Sequence, residues 1–199
     1  MLISGRTAQL PLGRNDALLV MTRKEPALEA TDLLAVLRYF HVLSGIIWIG
    51  ILYYFNLVQV PSFAQMEAPA RSNAIQFLVP RALLWFRYAA LSTVTFGIIY
   101  IGVAAGDNPD YTSSNAFKSI MVGGGLGIIM FLNVWGIIWP NQKKIIAAVT
   151  ATAREGKPAP ADQPKWARMA FLASRTNVAL SIPMLFFMIA SGHLSSIWN

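Results

Sequence analysis

The chain has two histidines, His41 and His193, and both lie in long apolar runs. An imidazole placed where a leucine would suffice offers one of few things in such surroundings: a cross-helix hydrogen bond, or a nitrogen ligand for a metal. Met121, in a third apolar run, adds a thioether. Imidazole and thioether are the ligand types that hold a haem iron from its two faces. Carboxylates do not accompany them, because all nine acidic residues fall in polar tails and connections. A zinc or non-haem iron site of mixed ligands is therefore disfavoured. Cysteine is absent, which removes disulfides, thiolate sites and any CxxCH attachment point for covalent haem.

The elements that must position these side chains are transmembrane helices. Of 199 residues, 55% are hydrophobic and 13% charged, where a soluble domain carries about 25% charged residues. Mean hydropathy is +0.50. Four stretches, at about 33–60, 83–105, 116–140 and 172–197, are long and apolar enough to cross a bilayer, which takes roughly 20 helical residues each. The expected fold is all-α, an integral membrane four-helix bundle with up-and-down connectivity over 33–199, preceded by an extramembrane tail at 1–32. That tail lacks the pattern of a signal peptide, and "NDALLVM" within it reads as a short surface helix. Pro61 is expected to end the first span, with 62–82 a polar loop, and "NQKKIIAAVTATAREG" to continue the third span as an amphipathic helix.

The net charge of +7 reads as topology, not as affinity for nucleic acid. Basic residues such as Arg71, Arg81, Lys143, Arg154 and Lys165 concentrate around the connections after the first and third spans. By the positive-inside rule those connections are cytoplasmic and both termini periplasmic, in a bacterial inner membrane.

Counting 3.6 residues per turn from His41 collects Gly45, Trp48, Leu52, Asn56 and Gln59 on one face. Polar side chains in hydrocarbon must face inward, so this stripe is expected to line the bundle interior. With four antiparallel crossings, His41 and His193 fall at similar depth on one side. Two inward imidazoles at one level suit axial ligation of a non-covalent haem b, with Met121 a substitute for either. In the third span Gly123 and Gly127 form a GxxxG pair whose usual meaning is helix packing. Gly45, Gly124 and Gly125 would make room for a macrocycle, and Asn133 reads as a helix–helix hydrogen bond.

The motifs "HVLSGIIWIGILYYF", "WFRYAALSTVTFG", "NVWGIIWPNQKK" and "SRTNVALSIPMLFFMIASGHL" resemble, in that order, the membrane domain of the bacterial cytochrome-linked urate oxidases. The likeness covers most of residues 35–195. It matches the family at His41, Trp48, Asn133, Pro140, Asn141, Gln142, Lys144, Asn177, Pro183 and His193. The chain departs from the family pattern at Met121 and Thr176, where family members carry histidines, and it reads as a short form lacking their cytochrome c domain. The resemblance implies an oxidoreductase that binds haem and passes electrons to a cytochrome c or a membrane quinone. A fainter likeness, limited to the first span, is to four-helix protoporphyrinogen oxidases. The competing expectation is a cofactor-free accessory subunit of a larger membrane complex, which the short connections and glycine-rich face would serve equally.

Overall fold

A computed structural model describes residues 30–198; the expected surface helix at "NDALLVM" lies outside them. Four long helices account for nearly all of the described chain: α1 (Ala30–Gln65), α2 (Ala68–Asp107), α3 (Asn115–Glu155) and α4 (Gln163–His193). Each is long and apolar enough to cross a membrane. The chain is a multi-pass membrane protein.

The helices run up and down as two hairpins. α1 packs along α2, and α3 along α4. The hairpins meet through α1 against α4, and through α2 against the second half of α3. At 1.5 Å per residue, helices of 36 and 41 residues extend to about 54–62 Å, well beyond the roughly 30 Å of hydrocarbon. The surplus lies at the basic end, beyond the spans read from hydropathy. Residues 68–82, expected as a polar loop, form the first turns of α2, because the intervening break is only the extended Met66 and Glu67 and Pro69 is compatible with the first turn of a helix.

Pro61 does not end α1. The helix passes through it to Gln65, and the preceding turn, Tyr54–Gln59, is wound as a π-helix. The third helix repeats the device: Val134–Ile138 is π and Pro140 follows. Proline lacks the N–H for the i−4 carbonyl and clashes with it. A wider turn just before the ring places proline at the start of a fresh α segment, where its missing donor costs nothing.

The connections are built from caps. Asn108 Oδ1 accepts from the Asp110 amide, and Ser114 Oγ accepts from the Phe117 amide to open α3. Gly156, at φ +66°, ends α3 in the left-handed conformation. In the short helical turn between α2 and α3, burial pushes the Tyr111 phenol above its ordinary pKa, aided by Tyr100 and opposed by Arg38.

The GxxxG pair divides its labour unequally. A Cβ on Gly123 would lie 3.2 Å from the Met184 carbonyl oxygen, Phe187 Cβ and Met188 Cε, whereas one on Gly127 would meet nothing within 4 Å. Of the pair, Gly123 is the one in tight contact with α4. Gly123→Leu should cost about 3 kcal/mol by overpacking against backbone. Gly125→Leu, which faces open space, should cost little when both are compared by unfolding in mixed micelles.

Candidate functional site

The stripe read from His41 is an inward face. Trp48 is 2% exposed, Leu52 is fully buried, Asn56 is 3% and Gln59 9% exposed. His41 itself is half-buried and turned to α2. Its Nδ1 lies 2.8 Å from the Thr93 carbonyl oxygen. A carbonyl only accepts, so Nδ1 carries the proton and Nε2 keeps its lone pair free. The ring edge fills the space left by Gly97, where a Cβ would lie 3.0 Å from Cε1 and Nδ1. Thr93 donates its own hydroxyl to the Ala89 carbonyl, and its methyl faces Gly45, 3.8 Å from where a Cβ on that glycine would lie. Phe40 stacks on Phe96 beside the ring, at 5.2 Å between centroids. One turn nearer the helix start, Arg38 donates to the Tyr100 hydroxyl.

His193 is the last residue of α4 and is exposed; its Nδ1 bonds the Ile189 carbonyl of its own helix at 3.2 Å. The same logic leaves its Nε2 free. Tyr53 and Ser181 are hydrogen-bonded at 2.9 Å, and the stretch from Tyr53 back to His41 is as long as that from Ser181 on to His193. The antiparallel register thus carries both histidines toward the same end. Their hydrogen bonds do not join them: one ring is held by α2, the other by α4.

Met121 is 53% exposed on the outer surface. Gly124 lies 4.0 Å, measured from an added Cβ, from Met188 Cε, and Gly125 faces open space. Neither glycine touches the residues around His41. Of the residues singled out from the sequence, the structure brings together His41, Gly45 and, a turn further along the same face, Trp48.

Below this group a polar seam crosses the bundle. Asn133 Nδ2 donates to Asn177 Oδ1 at 2.8 Å, and Asn177 Nδ2 donates to the Met130 carbonyl at 3.0 Å. Asn56 Nδ2 donates to the Leu52 carbonyl and to Ser174 Oγ, at 2.8 and 2.7 Å. With Tyr53 and Ser181, these residues tie α1, α3 and α4. Trp48 Nε1, Asn56 Oδ1 and Gln59 Oε1 are buried without a partner. An orphaned polar atom in a dry interior is costly, so this face is suited to a guest with both donors and acceptors.

The α3 and α4 members of the seam, with the α4 histidine, fall within a stretch, residues 93–199, that matches the family model described as Urate oxidase N-terminal. The chain belongs to the urate oxidase N-terminal family. The matched segment holds Thr93, Gly97, Asn133, Asn177 and His193, and it starts beyond His41. No curated protein and no solved structure matches the chain. For this urate oxidase N-terminal family member, sequence reasoning missed the partners of His41. Thr93 and Gly97 are spaced i, i+4 in "TVTFG", a helical face with a glycine on it, and that spacing was the available signal.

Proposed function

We propose that the protein binds haem b within the membrane through His41 Nε2 and serves electron transfer, or oxidation of a small substrate, of the urate oxidase type. One observation carries the reading: His41 has its Nδ1 proton committed to the Thr93 carbonyl. This is the outer contact that fixes the tautomer and orientation of a ligating imidazole. The remaining residues fit such a group. Arg38, a turn from His41, is a cation for carboxylate side arms, and Gly45 and Gly97 bring no side chain of their own to the α1–α2 seam. His193 is the candidate second ligand. Bound haem would supply one-electron chemistry, passed on to a cytochrome c or a quinone. The protein would reside in a bacterial inner membrane with both termini periplasmic.

The test is an absorption spectrum of detergent-purified protein expressed with ample haem. A Soret band is expected in the native protein. It should vanish in His41→Ala and return on addition of free imidazole; a native protein without the band would remove the proposal.

A cofactor-free accessory role is the second reading. It is favoured by the plain packing contact that Gly123 makes with α4. It predicts stoichiometric co-purification of membrane partners, unchanged by His41→Ala.

A further inference from the structure

Arg87 lies on α2 toward its basic end. Its guanidinium stacks on Trp139 of α3, with Cζ 3.6 Å from the ring centroid, and approaches the Tyr88 ring at 5.3 Å. Tyr88 in turn meets Trp135 edge to face, with centroids 6.1 Å apart. These four side chains form one contiguous group between α2 and α3. Within it three buried nitrogens that bear hydrogens have no acceptor: Arg87 Nε, Arg87 Nη1 and Trp135 Nε1. The group contributes donors and a positive charge, with no orphaned acceptor to balance them.

The missing counter-charge does not come from the described residues. Among the described residues the one ion pair is Lys157 with Glu155, and none joins Arg87. A water molecule would accept from one nitrogen but would leave the cation uncompensated. Cation–π contact with Trp139 covers the face of the guanidinium, and its edge donors Nε and Nη1 stay unused.

Depth identifies the source. From Arg87 to Asp107, where α2 ends in the polar turn, the helix rises about 30 Å, the thickness of the hydrocarbon layer. If Asp107 marks one water boundary, Arg87 marks the other, and Trp135 falls at the same level when counted from Asn115 at the start of α3. Tyr88, with Trp85 beside it, is exposed on the outer surface here, so the group borders lipid at Tyr88, with the orphaned nitrogens buried behind that surface. Anions at that level are phosphates of lipid headgroups.

We propose that Arg87, Trp135, Tyr88 and Trp139 form a binding site for the phosphate group of an anionic phospholipid. The guanidinium and indole donors take the phosphate oxygens, and Trp139 holds the guanidinium plane in place. A zwitterionic lipid carries its own cation and gains less from Arg87, so the site discriminates by net charge.

Native mass spectrometry of the full chain, released from detergent with phosphatidylglycerol or phosphatidylcholine present, tests this. Phosphatidylglycerol adducts should exceed phosphatidylcholine adducts, and Arg87→Gln should reduce them about tenfold, the loss of a charge-assisted contact. Arg81→Gln, removing an exposed arginine on the same helix, should leave them unchanged. Arg87→Lys, which keeps the charge and loses the stacked plane, should recover part of the loss. Equal retention of the two lipids, or an undiminished adduct in Arg87→Gln, overturns the site. Displacement of the lipid by equimolar inorganic phosphate would assign the site to free anions and overturn the lipid assignment.

Discussion

Gly97→Val is expected to abolish the Soret band as completely as His41→Ala, although residue 97 offers no ligand. The reason is the 3.0 Å separation between an added Cβ and the His41 ring atoms Cε1 and Nδ1. A Cβ at 3.0 Å is tighter than nearly all real Cβ contacts, and valine adds two methyls beyond it, so the imidazole must shift. In doing so it loses the Thr93 carbonyl, the contact that sets which nitrogen is free. Gly102→Val, on the same helix with nothing within 4 Å, is the matched control and should keep the full absorbance. Haem content by pyridine haemochrome assay, with circular dichroism to show intact helices, reads the result. If Gly97→Val retained haem while His41→Ala lost it, the ring would not need its observed position to act. Loss in both, with retention in Gly102→Val, is the outcome that ties the spectrum to the α1–α2 seam.

Asn177→Leu is expected to destabilise the bundle by about 2 kcal/mol. Asn177 is fully buried and serves two successive points on one face of α3, accepting from Asn133 and donating to the Met130 carbonyl. Leucine removes both contacts and strands the Asn133 amide in hydrocarbon. Cross-helix hydrogen bonds in membranes contribute only about 0.6–2 kcal/mol each, because the separated helices also find partners. The penalty is thus dominated by the orphaned group, and Asn133→Leu on top of Asn177→Leu should restore part of the loss. A double-mutant cycle in bicelles measures the coupling. Additive losses would mean that the two amides act independently, contrary to their 2.8 Å contact.

How far the sequence could be read follows from what each signal encodes. Hydropathy located all four crossings because apolar length is a local property. It could not set the helix ends, since the turns beyond the bilayer are polar yet still helical, as at Ala68–Arg81 and Gln163–Ala170. Helical period places Trp48, Asn56 and Gln59 inward for the same local reason, and a lone amide in an apolar span points Asn133 to a helix–helix bond. The destination of His41 was not readable. Facing inward leaves two neighbouring helices as partners, and only the α1–α2 contact, closed by Gly97, decides between them. Met121 illustrates the converse: it was placed by depth alone, and depth does not specify azimuth around a helix axis.

The two widened turns before Pro61 and Pro140 carry a consequence for how this chain tolerates change in length. An i→i+5 turn holds one residue more than an ordinary one, so each is a place where the helix stores slack. Deleting a single residue from Tyr54–Gln59 would let the winding tighten while the segments on either side keep their facing. The same deletion in the regular stretch 42–53, between His41 and the widened turn, would rotate His41 away from Thr93.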